Sequence, residues 1–441
     1  RLLVIDDESG DQTFRLAEAY VAAHPGMKLT VLRNPENQGY GGNQKIGYQY
    51  AMENGFDAVA LLHGDGQYAP EKLPELVQTV LAGEADACFG SRMMSGNQAV
   101  RQGMPLYKYI GNRILTAFEN RATGLNLSEW HSGYRVYSVK ALEQLPFRYN
   151  TNEFHFDSEI IVQFVLAGYR IRELPIPTFY GDEICYVNGL KYAWDILRTV
   201  LVSRLHRLGI FYQRKFDVAG SRQPGIKLGY SSSHQWLLDT VQKGSRVLEV
   251  THGTAVFAPL LRTKGCDVTT VESSNAAAGK EHPAGVQLFD VVLVPDILEH
   301  VDSPEALLCG LRDCYYSERS RVVLTTANVG FLPERLSLLF GRFQYSREGI
   351  LDLSHKRLFT FRSFRQILEQ EGYRVVRVRG IPGPWPKAFG NTLFSRFLLS
   401  LNRFLIFFSK GLFAYQIYVE AVPLPPLHRL LRRTVESTRN A

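Results

Sequence analysis

Cysteine is scarce in this chain: Cys88, Cys185, Cys266, Cys309 and Cys314 are the five among 441 residues. None forms a CxxC pair or has a histidine at zinc-module spacing, so neither a disulfide framework nor a structural zinc domain is encoded. Buried free thiols in a reducing cytosol are the expectation. Long apolar runs are missing too: none approaches the roughly 20 residues a spanning helix needs, and no signal peptide opens the chain. The fingerprints GxGxxG and GxxxxGK[ST] are absent, which removes the usual support for dinucleotide binding and for a Walker loop. No recognised nucleic-acid module occurs. Neither sign of charge dominates, since 50 Lys+Arg against 43 Asp+Glu leave +7, a mild bias toward diphosphates, lipid phosphates or anionic membrane surfaces. The chain opens at Arg1, inside what reads as a strand, so an earlier strand is expected to be missing and to leave a gap beside residues 2–5.

A hydrophobic content of 45% with 21% charge describes a chain that folds, and its length fits two or three domains. From residue 1 to about 180, β-branched runs at 2–5, 28–32, 58–62 and 85–89 alternate with amphipathic stretches, which predicts a mostly parallel sheet with helices on its faces. Residues 213–233 then collect Gly, Pro and Ser as a linker does. A second alternation follows, with strands expected at 246–250, 267–271, 290–294, 321–325 and 373–379. The reading is α/β throughout: a domain at 1–212, a linker at 213–233, a second domain at 234–425 and a basic tail at 426–441. Ligands are expected at the carboxyl ends of the strands, where open α/β sheets bind them.

In the first domain, VIDDESGDQT places Asp6 and Asp7 just past a strand, where carboxylates can accept from a base or ribose, or belong to a helix start. Residues 34–51 supply Asn37, Gly39, Gly41 and Gly42 before a helix, whose amides can approach phosphate. A strand then ends in HGDGQ. Strand alternation would put His63, Asp65 and Gln67 on one face, able to hold one cation beside a leaving diphosphate.

Taken in order, VIDDESGDQT, HGDGQ, GSR at 90–92, EWHSGYRVYS and FHFDSEI resemble the family 2 glycosyltransferases of the dolichyl-phosphate mannose synthase-like group. The resemblance implies a GT-A fold, a nucleotide-sugar donor bound through Asp6, Asp7, Asn37, Gly39 and Asp65, and inversion at the anomeric carbon. It implies a Mg²⁺ or Mn²⁺ ion on the DxD-plus-Gln segment. Because His63 stands where the first Asp of that motif belongs, Mn²⁺ is expected to be preferred. Glu129 takes the place of the acidic residue before the family's SGF segment, and Asp157 or Glu159 is a base or orienter. With a polyprenyl-phosphate acceptor, Arg92, Lys108, Arg113 and Arg135 are expected to matter more than a base, because that nucleophile is already anionic.

In the second domain, SRVLEVTHGTAVFAPLLRTKGCDVTTVESS reads as strand, turn, helix, strand with Glu272 ending the second strand, where an acid can grip both ribose hydroxyls. With FDVVLVPDILEHVDSP and RVVLTTAN, this segment resembles the class I S-adenosylmethionine-dependent methyltransferases, with a Rossmann-like fold. The resemblance implies Glu249 and Gly253 at the methionine end of the cofactor, Glu272 on the ribose and Asp296 near the acceptor. The family's usual turn, VGCGTG, reads here as Val250-Thr251-His252-Gly253-Thr254-Ala255, with side chains at Thr251 and Ala255 where that family has glycines. The stretch 335–364 can cover the acceptor as a lid, and His300 and His355 are candidate bases for a hydroxyl acceptor. Residues 390–412 have helical apolar spacing with interleaved Arg396, Arg403 and Lys410, which fits either an anionic membrane surface or a packed core.

These observations favour a bifunctional enzyme, a hexosyltransferase-type glycosyltransferase fused to an adenosylmethionine-dependent methyltransferase. Its partners are a nucleotide sugar and a polyprenyl-phosphate or glycan acceptor of cell-surface polysaccharide synthesis. It is expected in the cytoplasm, with peripheral contact to the cytoplasmic face of the membrane. A non-catalytic scaffold with degenerate metal and cofactor sites is the competing reading, and a pair of NAD-type oxidoreductase domains a third.

Overall fold

The computed structural model describes residues 1–96, 98–177, 188–218, 228–278, 289–315 and 320–440. Cys185 lies outside them, as does much of the expected linker; Cys88, Cys266, Cys309 and Cys314 are free. The chain divides into two compact units, Arg1–Arg204 with Gln213–Arg222, and Leu205–Tyr212 with Gln223–Ala441. The chain therefore changes unit after Arg204, after Tyr212 and after Arg222, and not once at 212. Leu208 and Ile210 are buried with Phe331, Ile350 and Tyr415 of the second unit, whereas Phe216 and Val218 belong to a core of the first.

The first unit contains β1 (Leu2–Asp6) and β2 (Leu29–Arg33), paired parallel as a two-stranded sheet. A second sheet holds β3 (Ala58–Leu61), β4 (Ala87–Ser91), β5 (Arg135–Ser138) and β6 (Ile171–Pro175) in the order β3-β5-β4-β6. In it β5 runs antiparallel to both neighbours, and only β4 and β6 pair in parallel. The expected single, mostly parallel sheet is thus corrected. β5 hid inside EWHSGYRVYS, where polar and aromatic residues mask the short run Arg135–Ser138. Its inward side chains pack instead of alternating with solvent: Val136 and Tyr137 are fully buried, Tyr137 beside Phe89, Phe156 and Phe164.

The second unit has one six-stranded sheet of β7 (Arg246–Thr251), β8 (Asp267–Glu272), β9 (Val291–Pro295), β10 (Arg321–Ala327), β11 (Tyr373–Ile381) and β12 (Gln416–Pro423), ordered β11-β12-β10-β9-β7-β8. Strands β8, β7, β9 and β10 are mutually parallel, and β12 is antiparallel to β10 and β11. The chain moves outward from β7 to β8 and then returns to the other side of β7 as β9. This reversal leaves a crevice at the carboxyl ends of β7 and β9, the switch point where doubly wound sheets take ligands. The central strands are apolar on both faces, so Leu248 and Val292 join one core and Leu293 and Val323 another.

Of the three non-glycine residues with positive φ among those described, two directly follow or closely follow a strand end: Glu8 (63°) after β1 and Asp296 (47°) after β9. Backbone held in this region costs about 1–3 kcal/mol and gathers at functional sites. Among the described residues, no helix is long and apolar enough to cross a membrane.

Two truncations separate the buried core from the surface. Leu293→Ala, at a fully buried position, is expected to destabilise the second unit by about 2–5 kcal/mol. Leu339→Ala, where the side chain is 76% exposed, should change stability by less than about 0.5 kcal/mol. Urea unfolding of the full chain measures both, and equal losses would contradict the packing described.

Candidate functional site

The turn after β1 organises the start of the helix Gly39–Glu53. Asp7 accepts from Gln38 N (2.8 Å) and Asn34 Nδ2 (2.7 Å) through Oδ1, and from Gly39 N (3.0 Å) through Oδ2. Asn37 donates from Nδ2 to Asp7 O (2.9 Å), receives Gly39 N on Oδ1, and its own N–H goes to Glu8 Oε2 (2.9 Å). Asp7, Asn37 and Gly39 therefore hold the turn together by bonds among themselves. The glycines serve packing: a Cβ on Gly41 would stand 2.5 Å from Thr151 O and 2.7 Å from Phe156 Cβ. The expectation that these amides cradle phosphate is corrected, because the loop at 151–156 fills their space. Asp6 differs. It is buried, receives Ser9 N (3.2 Å) and Arg33 Nε (3.5 Å) on Oδ2, and leaves Oδ1 without a partner.

β3 stops at Leu61, and His63, Asp65 and Gln67 follow in a turn with Gly66 at φ +74°. Strand alternation therefore does not align them. Tyr40 Oη donates to Asp157 Oδ2 (2.8 Å), so at 3.3 Å it can only accept from His63 Nε2, and the imidazole carries its proton there. Burial holds His63 below its ordinary pKa, against the opposing charges of Asp157 and Asp65. The Asp65 carboxylate is exposed and caps Gln67 N (3.1 Å). Among the described residues, His63 and Asp65 gather no third His, Cys, Asp or Glu close enough to share an ion. The donor set does not fit a preassembled cation site, and no step is derived through a metal here.

The expected acceptor residues divide sharply. Glu129, fully buried, accepts from Arg92 N (2.8 Å), Arg92 Nε (2.9 Å), Arg92 Nη2 and Asn112 Nδ2 (2.9 Å). Burial alone would raise its pKa, but the Arg92 charge and these bonds outweigh it and hold the carboxyl below its ordinary value. Arg92 also donates to His131 O (3.2 Å). Arg135, 1% exposed, donates to Trp130 O (2.7 Å), Ser132 O (2.7 Å) and Asp157 O (3.2 Å), and pairs with Asp157 Oδ2 at 3.4 Å. Glu159, also fully buried, accepts from Thr151 N (2.7 Å) and Lys215 Nζ. Glu129, Glu159, Arg92 and Arg135 are thus internal braces, which corrects their reading as base and phosphate ligands. Lys108 and Arg113 lie on the helix Leu106–Thr123, half-buried and exposed respectively. That helix exposes Leu106, Tyr107, Ile110 and Ile114. Asp157 remains central, joined to Tyr40, Gln44 Nε2 (3.1 Å) and Arg135. Tyr40 and Gln44 were missed because nothing in the residues 34–51 distinguishes their side chains from a helix face.

In the second unit, Glu249 accepts from Val256 N (2.9 Å), Phe257 N (2.8 Å) and Ala258 N (2.6 Å), closing the start of the helix Ala258–Thr263. Its carboxylate is consumed by these amides, so it shapes the turn rather than reaching a ligand directly. Glu272 accepts from Thr251 Oγ1 (2.9 Å) and Gly253 N (3.2 Å), which folds the turn after β7 onto the end of β8. A carboxylate has about four lone-pair sites, so capacity for a ribose hydroxyl remains. Gly253, at φ +92°, stands in a conformation that favours glycine. Asp296 accepts from Gln416 Nε2 (3.0 Å) and Ser233 Oγ (3.4 Å) on Oδ2, while Oδ1 is buried without a partner. His300 and His355 come together with ring centroids 4.8 Å apart, and His252 stacks on His300 at 6.0 Å. The fold thus assembles the ends of β7, β8 and β9, as the switch point requires.

The expected lid holds the helix Leu332–Leu339, exposing Leu336, Leu338 and Leu339. In the stretch 390–412, the helix Leu393–Phe408 is capped by Thr392 and buries Ser395, Leu399 and Asn402, while Leu393, Phe397, Phe404 and Phe407 stay exposed. It is packed along one face only. The basic tail forms the helix Leu427–Asn440.

Polar residues gather at the carboxyl ends of strands in both α/β units, where sheets of this kind take ligands. Comparison with known proteins makes each specific. Residues 1–146 match the family model described as Glycosyl transferase family 2, and residues 227–378 match one described as Methyltransferase domain. The chain thus joins a region similar to family 2 glycosyltransferases and, after it, a region similar to methyltransferases, each in an α/β unit. It is 31% identical over 202 residues to the low-salt glycan biosynthesis hexosyltransferase of Haloferax volcanii, covering 46% of this chain and 45% of that protein. It therefore spans less than half the length of that relative. It is 29% identical over 217 residues to the undecaprenyl-phosphate mannosyltransferase of Micrococcus luteus, covering 45% of this chain and 86% of that protein. Among solved structures it is similar to glucosyl-3-phosphoglycerate synthase of Mycobacterium tuberculosis, with TM-score 0.33 and 19% identity over 46% of this chain and 68% of that one.

Two predictions test this description. Glu129→Ala strands the Arg92 charge in the interior and should cost about 3–5 kcal/mol, whereas Arg92→Met combined with Glu129→Leu should recover most of that loss. Urea unfolding reads both, and a loss under about 1 kcal/mol for the single variant would refute the brace. Burial pushes Glu334 up to about 7 from its ordinary 4.5. The folded state then binds more protons than the unfolded one between these values, so stability falls as pH rises through that window. Glu334→Gln should match the parent near pH 4.5 and exceed it above about pH 7 in unfolding measurements; an unchanged difference across that range would contradict it.

Proposed function

We propose that the first unit transfers a hexosyl group, with inversion, from a nucleotide sugar to a polyprenyl phosphate, and that the second methylates a related glycan from S-adenosylmethionine. The observation that carries the reading is the paired family matches, with the mannosyltransferase relative covered over 86% of its length. For the first unit, the unpartnered Oδ1 of buried Asp6 is the acceptor group offered to a nucleoside N–H. Exposed Asp65, in the turn after β3, is proposed to contact the nucleotide sugar, and Tyr40, held by Asp157, orients His63 in the same turn. Lys108 and Arg113, on the helix Leu106–Thr123, are the cations proposed for the lipid phosphate. The exposed apolar side chains of their helix support contact with the lipid surface on which such an acceptor resides.

In the second unit, Glu272 takes the ribose hydroxyls, Gly253 lets the backbone approach the cofactor, and Asp296 borders the acceptor. Methyl transfer needs in-line positioning of the acceptor oxygen against the sulfonium carbon above all.

Mass spectrometry of the full chain incubated with nucleotide sugars and a short polyprenyl phosphate tests the first half; a polyprenyl phosphosugar is expected, with Asp65→Ala lowering its rate at least 100-fold. Transfer to a glycan hydroxyl but never to the phosphate would overturn the acceptor. Calorimetry with adenosylhomocysteine tests the second; Glu272→Ala should weaken binding at least 10-fold, and unaltered binding would remove Glu272 from the site.

A further inference from the structure

Glu299, His300 and His355 each present a ligand atom, all within 4.8 Å of one another. Among the described residues they are the one group of three or more His, Cys, Asp or Glu side chains so arranged. Glu299 and His300 belong to the segment after β9, and His355 arrives from the loop before the helix Phe361–Gln370. Three features of the surroundings go beyond proximity.

The first is the proton on each ring. Ser354 Oγ donates to Asp352 Oδ1 (2.6 Å), so toward His300 Nδ1, at 3.1 Å, it accepts. His300 therefore carries its proton on Nδ1 and keeps a lone pair on Nε2. His355 Nδ1 lies 2.8 Å from the carbonyl of Ile350, which can only accept, so His355 has the same tautomer. Metal-binding imidazoles are commonly held in this way, one ring N–H donating to a neighbouring acceptor while the other nitrogen keeps its lone pair. The second feature is uncompensated buried acid. Glu299 is 2% exposed; its Oε1 accepts from Ala327 N (3.2 Å), and its Oε2 has no partner. Asp296, three residues earlier in sequence, also leaves Oδ1 buried without a partner, and no Lys or Arg among the described residues forms an ion pair with either acid. Burial of a carboxylate without a cation or a full set of donors is costly. The third is placement: His252, from the turn after β7, stacks on His300, which puts the group at the switch-point crevice of the sheet.

We infer that Glu299, His300 and His355 form a divalent-cation site of the Zn²⁺ or Mn²⁺ type in the methyltransferase domain, and that it binds the hydroxyl oxygen to be methylated. Two imidazoles and one carboxylate suit such borderline ions better than Ca²⁺ or Mg²⁺. Three ligand atoms about 2.1 Å from one ion stand about 3.4–3.6 Å apart pairwise, so seating an ion draws the widest pair, now within 4.8 Å, together by at most about 1.4 Å. The role assigned to the ion rests on the methyl-transfer reading above; the site itself does not. Coordination lowers the pKa of the acceptor hydroxyl, which loses its proton to solvent. Its oxygen then forms the new bond to the methyl carbon as the carbon–sulfur bond of the sulfonium donor breaks, with the electron pair staying on sulfur in the departing thioether. His300 and His355 are then ligands rather than the free bases expected from sequence.

The test uses the full chain carrying Asp65→Ala, so that any ion at the sugar-transfer half is not counted, stripped with chelator and titrated with Zn²⁺, Mn²⁺ and Co²⁺. One equivalent is expected to bind, and Co²⁺ should give d–d absorption bands of a nitrogen-ligated ion. His300→Ala, His355→Ala and Glu299→Gln should each weaken Zn²⁺ binding at least 10-fold while adenosylhomocysteine binding, measured alongside, changes less than 2-fold. Retained affinity in the double variant His300→Ala/His355→Ala overturns the site. Absence of Co²⁺ bands in the chain with all three residues intact also overturns it, without depending on how any variant at the site folds. Metal binding without adenosylhomocysteine binding would keep the cation site and refute the methyl-transfer reading instead.

Discussion

A carboxylate removed from water must be met by amides or by a cation, and this constraint shapes both halves of the molecule. Asp7 gathers the amides of Gln38 and Gly39. Glu173 gathers those of Ser128 and Glu129, and Glu249 those of Val256, Phe257 and Ala258. Each acid stands at or near a strand and fixes the loop that follows or faces it. The loops at the carboxyl ends of the sheets are therefore held by internal charge.

The same constraint sorts the cations. Arg92 and Arg135 neutralise Glu129 and Asp157 inside the first unit, and a guanidinium engaged in this way is not available to a phosphate. The helix Leu106–Thr123 carries Lys108 and Arg113 beside the exposed side chains of Leu106, Tyr107, Ile110 and Ile114. In the second unit the balance is left open at one place. Glu299 is pushed well above the ordinary carboxyl range, first by burial and then by the charge of Asp296. Both acids keep an oxygen without a partner. Backbone strain at Asp296, φ +47°, coincides with this position, as it does at Glu8 beside Asp6.

Local sequence was enough to establish the two-part α/β organisation and nearly every parallel strand, because β-branched runs such as VVLVP and RVVLTTA have no helical alternative of that length. It also located the turns after β1, β7 and β9, since acidic and small residues follow each run directly. Which partner each side chain meets was decided by the tertiary structure. β5 inserts antiparallel between β3 and β4 through contacts distant in sequence. Tyr40 meets Asp157 across 117 positions, and His300 meets Ser354 across 54. A motif specifies residue types a few positions apart, whereas the direction of a carboxylate or the tautomer of an imidazole depends on donors brought from elsewhere by packing. For that reason the domains were legible in the chain, and the roles of Glu129, Arg92, Arg135 and the His300–His355 pair were not.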